Sequence, residues 1–246
     1  MIFNLLQFGR VPYAEGLELQ RQLIEARHDG RIGNTLVLLE HPPVLTLGRN
    51  ASRANIIASD EFLACRGVEI HEINRGGDVT YHGPGQLVGY PIFDLRSLTP
   101  RLGAVEYVRM IEEALIRACG DFGVQVARIA GRTGVWTMAG GSIQEKKIAA
   151  IGIHIARGIT SHGFAFNVNP DLRDFQLIIP CGIADREVTS LEREADPAPS
   201  MDAVRNAVAR QFGHVFSSQV LWIETPSDLL PGLPLTGTAA AVNADL

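Results

Sequence analysis

Three features of this 246-residue sequence carry residue types that can do covalent chemistry: a cysteine, a lysine and a stretch crowded with glycine. Cys181 stands in LIIPCGIADREVTSL, after an apolar run and a proline and before a glycine. That context reads either as a small buried hydrophobe or as a thiol aimed out of a turn at the mouth of a strand. Only the thiolate is a good nucleophile, so the second reading needs a neighbour that lowers the thiol's pKa. Lys147 opens the apolar pattern KIAAIGIHIA, and Lys146 before it would point to the opposite face of the strand. A lysine at such an entrance is either solvated or partly stripped of water. In the second case it can act as a base, or as a cation beside a thiolate. Cys65 and Cys119 fall in helical patterns and read as packing residues.

The third feature is RGGDVTYHGPGQLVGYP, residues 75–91, with five glycines and two prolines in 17 positions. Its glycine spacing fits neither the Walker A loop nor the dinucleotide-binding turn. The stretch can still offer backbone N–H groups to an oxyanion. Gly76 and Gly77 leave room for a ligand against the backbone, and Thr80, Tyr81 and His82 place hydroxyl and imidazole groups beside them. A glycine-rich hairpin is the plainer alternative; the density of special residues favours a ligand site.

These features must be held by a scaffold. Helical spacing marks residues 12–29, 59–67 with Ser59 as N-cap, 103–121 on Val105, Val108, Ile111 and Leu115, and 200–215. Strand patterns mark 34–40, 68–74, 86–95, 124–129, 134–138, 147–156, 161–169 and 175–180, with the prolines of HPPVLTLG placing that run at an edge or crossover. The reading is an α/β (α+β) fold in which a mixed β-sheet is flanked by helices. One domain spans residues 1–225, and 226–246 form an irregular tail rich in Pro, Gly, Ala and Thr.

Composition narrows the function classes. A net charge of −5 without Lys/Arg runs gives no footprint for nucleic acid. The chain has neither an apolar run long enough to span a membrane nor a secretion signal at its start. Three widely spaced cysteines suit reduced thiols in a cytoplasm and fit no zinc motif, so no metal is expected.

Taken together the segments resemble one family. Arg75 to Gln86 match R-G-G-x-x-T-Y-H-G-P-G-Q at every fixed position, and GVW at 134–136, KIAAIGIH at 147–154, HGFAFNVN at 162–169 and PCGI…VTSL at 180–191 follow in order. This set is similar to the octanoyltransferases of lipoate biosynthesis, also called lipoyl(octanoyl) transferases, over roughly residues 30–195. The resemblance implies the fold of the biotin and lipoate protein ligases. It also implies transfer of an octanoyl group from acyl carrier protein to a lysine of lipoyl domains, in 2-oxoacid dehydrogenases and in the glycine cleavage H protein, with no cofactor. It matches Cys181 to the nucleophile and Lys147 to the lysine that lowers its pKa. The acyl-substrate contacts match Arg75, Gly76, Gly77, Asp78, Val79, Thr80, Tyr81 and His82, then Ala150, Ile151 and Gly152, then Gly163, Phe164 and Ala165. The chemistry agrees, because thioester exchange onto a thiolate needs no ATP and an attacking amine needs a base. An ATP-dependent ligase of the same fold and a non-catalytic acyl-binding module are the rival readings, with a cysteine protease weaker than either.

Overall fold

The computed structural model describes residues 1–138, 144–179 and 187–233. Cys181 lies outside them.

The chain opens with strand β1 (Ile2–Arg10), helix α1 (Tyr13–His28) and strand β2 (Thr35–Glu40). Next come β3 (Val44–Leu47), α2 (Asp60–Cys65), β4 (Glu69–Glu72), β5 (Val79–His82) and β6 (Gln86–Ile92). Helix α3 (Ala104–Gly120) leads to β7 (Val126–Ile129), β8 (Arg132–Thr137), β9 (Lys147–Ala156) and β10 (Ile159–Asn167). A 3-10 helix (Leu172–Leu177), α4 (Leu191–Glu194), α5 (Met201–Val215), β11 (Gln219–Trp222) and α6 (Pro226–Leu229) complete the order.

Eight strands form one mixed sheet in the order β11-β1-β2-β6-β10-β9-β8-β7, in which only β11, β1 and β2 run parallel. Parallel neighbours need a crossover, and α1 supplies it between β1 and β2. Side chains alternate along each strand, so the sheet has two packed faces. On one, Leu36, Leu38, Leu87 and Phe166 meet α3 and α5; on the other, Val37, Leu39, Val88 and Ala165 meet α1. A small sheet, β4-β3-β5, has its own apolar cluster with Leu63 of α2 and Leu177 of the 3-10 helix. The mixed sheet flanked by helices is the architecture expected from the sequence.

Several local expectations need correcting. HPPVLTLG does not lie at an edge: β3 is the central strand of the small sheet, because both prolines precede it. Residues 175–179 of FQLIIP form no strand, and Pro180 lies outside the described residues. Asp171 accepts a hydrogen bond from the Arg173 N–H and starts a 3-10 turn there, and an apolar run that short cannot by itself distinguish the two. Val105 is 67% exposed, because the buried stripe of α3 runs through Tyr107, Ile111, Ala114, Leu115 and Ala118 instead. Cys65 is exposed at the end of α2, whereas Cys119 is buried as expected. The first residues of the expected tail form α6, and Leu230 packs into the α1 cluster. Residues 234–246 lie outside the described set.

Candidate active site

A cavity of about 300 Å³ lies between the α1 face of the large sheet and the loop that leads into β5. Strand register builds its floor. Ala150 of β9 pairs with Ala165 of β10, and Ala165 pairs with Val88 of β6; Gly152 pairs with Gly163. Arg75, Gly76, Gly77, Asp78, Val79, Thr80 and His82 line it from above, and Lys147, Ile151 and Phe164 also contribute. Tyr81 is the exception among the described candidates. Its ring packs in the small-sheet cluster and its hydroxyl donates to Asp174 Oδ2 at 2.7 Å. Phe164 reaches the lining, but its ring packs against Phe212 of α5, 5.6 Å between centroids, on the opposite face.

Gly83 and Gly152 have the protein itself as close neighbour, whereas a Cβ on Gly76 or Gly77 would meet nothing nearer than 3.4 Å. A Cβ on Gly152 would lie 2.8 Å from the Gly76 carbonyl oxygen, and one on Gly83 would strike the Tyr81 ring. The Gly76 N–H donates to the Ile153 carbonyl at 3.0 Å, which seats the loop directly on β9. Gly77 has φ +91°, a conformation that favours glycine.

Polar groups around the cavity form an ordered relay. The Thr189 carbonyl can only accept, so Asn167 donates to it through Nδ2 at 2.9 Å. Asn167 Oδ1 then accepts from Gln86 Nε2 at 3.0 Å, and Gln86 Oε1 accepts from His82 Nδ1 at 2.7 Å. The proton of neutral His82 is therefore on Nδ1, and its bare Nε2 accepts from the Thr46 hydroxyl at 3.4 Å. Thr46 in turn accepts from the guanidinium of Arg75, whose Nη2 also donates to the Thr46 carbonyl at 2.8 Å. Burial pulls the His82 pKa down to about 3, with His41 and Arg75 adding repulsion, so the ring stays neutral. It is an oriented wall rather than a titrating base.

A second buried pair lies beside it. His41 donates from Nδ1 to the Val11 carbonyl and accepts at Nε2 from the Tyr90 hydroxyl, both at 2.6 Å; burial pulls its pKa down to about 4. His162 has φ +55°, and its Nε2 lies 2.7 Å from Asn74 Oδ1. Burial and the charge of Arg75 lower its pKa to about 4 as well.

Lys147 is positioned from three sides. Its backbone N–H donates to the Glu187 carbonyl, and its carbonyl accepts from the Thr189 N–H, both at 3.0 Å. Its Nζ lies 4.7 Å from the centre of the Trp136 ring, whose face attracts a cation. Gly134, two residues before Trp136 on β8, donates its N–H to buried Glu112 at 3.0 Å, and Arg109 and Arg128 flank that carboxylate. Lys146 points elsewhere, to Glu187 at 3.1 Å, as the alternation required.

Sequence reading missed Tyr13, His41, Glu112 and Asn167 as parts of this site. A charged residue on the apolar stripe of α3 is a signal that could have found Glu112; the others had none that separates them from ordinary core. Among the described residues no cluster of His, Cys, Asp and Glu is arranged to hold a metal, and no helix is long and apolar enough to cross a membrane.

Comparison with known proteins meets this geometry. The octanoyltransferase of Acidobacterium capsulatum is 72% identical over 95% of this chain and 98% of its own. That of Koribacter versatilis is 55% identical over 94% of this chain and 90% of its own. In three dimensions the chain is similar to a bi-partite lipoate protein ligase of Thermoplasma acidophilum, studied with its E2 lipoyl domain. The TM-score is 0.72 at 18% identity, over 93% of this chain and 90% of that one, a likeness of fold. Residues 12–213 match the family described as the lipoyl protein ligase A/B catalytic domain, and the chain belongs to that family as an acyltransferase.

Proposed function

We propose that this enzyme moves an octanoyl group from the thioester of acyl carrier protein to a lysine of a lipoyl carrier domain, through a thioester on Cys181. The Cys181 thiolate adds to the donor carbonyl, and the tetrahedral intermediate expels the carrier's thiolate. The acceptor amine then adds to the acyl-enzyme, loses its proton to a base, and expels the Cys181 thiolate as the amide forms. Lys147 is assigned successive tasks. As a cation it favours the thiolate, it then gives a proton to the departing carrier thiolate, and the amine so formed takes the proton of the acceptor. Both carbonyl additions generate an oxyanion, for which backbone N–H groups at the cavity are suitable donors. The donor is already activated, so no nucleoside triphosphate enters the scheme, and a reduced thiol suits a reducing compartment such as the cytoplasm.

One observation carries this reading. Lys147 opens onto a cavity floored by Ala150, Ala165 and Val88, and its backbone is stitched to residues 187–189, just after Cys181 in the chain. On the other side of Cys181, the Ile179 N–H donates to the Asn55 carbonyl at 2.7 Å, and the Asn55 side chain donates to Asp78 on the cavity wall. Both described flanks of the cysteine are thus tied to the cavity.

The rival is an ATP-dependent ligase, which the likeness of fold alone would allow. The test is to mix the protein with octanoyl-acyl carrier protein without ATP and to map acylated peptides. Mapping is required because Cys65 is exposed. The expected result is one octanoyl group on Cys181, discharged when a lipoyl domain is added. Strict dependence on ATP, or acylation only at Cys65, overturns the proposal.

A further inference from the structure

Sheet register fixes the direction of the cavity floor. The row Ala150–Ala165–Val88 runs across the strands, from the strand of Lys147 to β6. Two strand spacings make that row about 10 Å long. An eight-carbon chain has seven C–C bonds of about 1.5 Å, which at tetrahedral angles span about 9 Å. A chain laid on this row, with its carbonyl at the Lys147 side, ends over β6.

Tyr13, the first residue of α1, stands at that end. It lines the cavity and is 3% exposed. Its ring lies 5.0 Å from that of His41, which follows β2, the strand beyond β6, and it stacks on His82 at 6.0 Å with the planes 13° apart. His41 is itself locked to Tyr90. The wall is therefore several rings deep. The Tyr13 hydroxyl makes no hydrogen bond among the described residues, although the residue is buried.

We propose that Tyr13 sets the acyl-chain length this enzyme accepts, stopping the chain near eight carbons; this rests on the reading of the cavity as the acyl site. A longer chain is rejected in two ways. The ring occupies the space for further methylenes, and an apolar chain end pressed on the hydroxyl removes it from water with no acceptor among the described residues to replace the loss. Tyr13 lies far in sequence from the glycine-rich stretch and touches only the distal end of the chain. It is a specificity residue, remote from the reacting carbonyl.

The test uses the full-length protein with hexanoyl, octanoyl, decanoyl and dodecanoyl donors on the same acyl carrier protein, comparing kcat/KM as ratios to octanoyl. Tyr13→Leu, which opens the end wall, should raise the decanoyl-to-octanoyl ratio about tenfold, the scale on which apolar pockets discriminate methylenes. A ratio within twofold of the parent protein overturns the proposal. If Tyr13→Leu loses its cooperative thermal transition, Tyr13→Phe decides. It keeps the ring and removes the hydroxyl, and should raise the ratio about threefold, whereas an unchanged ratio overturns the proposal. Wild-type protein inert toward every donor would instead overturn the acyl-transfer reading, so the two failures are distinguishable.

Discussion

The two faces of the large sheet are built from alternate residues of the same strands, yet they are packed on opposite principles. Toward α3 and α5, Phe93, Tyr107, Phe212 and Phe216 interlock with centroids 5.3–6.3 Å apart, and Phe164 and Phe166 fill the strand positions below. Toward α1, the residues in between are Ala165 and Asn167, and the buried rings nearby are His41, His82 and Tyr90. One face is filled mainly by large apolar side chains. The other uses small residues to leave a cavity and spends its buried polar groups on orientation. Burying a polar group costs free energy unless it is hydrogen-bonded, which is why the relay from Thr46 to Thr189 has a partner at every step.

The sharpest way to break this contrast is to substitute adjacent residues of β10. Phe166→Ala opens a cavity in the filled face and should cost about 3–5 kcal/mol of stability, with turnover kept at temperatures where the protein remains folded. Asn167→Leu has nearly the opposite signature. It cuts the relay, and a shift of even about 1 Å in the segment that holds Lys147 can cost on the order of a hundredfold in rate. Its stability loss should be smaller, about 1–3 kcal/mol for the polar groups left unpaired. Urea unfolding and steady-state transfer assays on both variants decide. If Phe166→Ala loses as much rate as Asn167→Leu, the division of labour between the faces is wrong.

A second test concerns the tie between the faces. Arg205 of α5 is buried and donates to Glu40 at 3.0 Å, and the other oxygen of Glu40 accepts from the Gly85 N–H at 2.8 Å. The helix on the filled face thereby fixes the turn that begins β6. Glu40→Gln leaves the buried guanidinium with the exposed Asp202 carboxylate, 3.3 Å away, as its remaining charge partner, and should cost about 3 kcal/mol. Adding Arg205→Met should recover most of it, because removing both charges is far milder than removing one. Equal instability of the single and double variants, measured by thermal unfolding, would show that the pair does not couple.

What the sequence revealed followed what local chemistry can specify. Ser59 caps α2 as its position suggests, accepting from the Phe62 N–H at 3.2 Å, and Ser200 does the same for α5 through the Ala203 N–H. Lys147 and Lys146 diverge as strand alternation demands. The glycine-rich stretch was recognisable as special, but a sequence cannot say whether a missing side chain makes way for a ligand or for the protein. Here the nearest atoms to Gly48, Gly83 and Gly152 are the protein's own backbone and rings. Tyr13 and His41 were invisible as site residues because the β1–α1–β2 crossover carries them there, and nothing local to either marks it. FQLIIP failed for a related reason: its turn is decided by Asp171, outside the apolar run.

The smallest effect, per residue, is one of pH. His41, His82 and His162 all lie on the cavity side, and burial lowers all three from the usual 6.5 to about 4, 3 and 4. Between those values and 6.5 the unfolded chain binds protons that the folded chain refuses, so stability is full above pH 6.5 and falls as the pH drops toward 4. At pH 6 each histidine should remove about 0.8 kcal/mol relative to pH 8, or about 2.5 kcal/mol for the three. Carboxylates titrate mostly below this window, which keeps the comparison clean. Urea unfolding at pH 8 and pH 6 measures the sum, and imidazole resonances measured across the same window locate it. Rings of the folded protein at these three positions should hold their chemical shifts through pH 6. A midpoint near 6.5 at His82 would mean that its Nδ1 proton is not fixed by Gln86, and the oriented wall of the cavity would lose its basis.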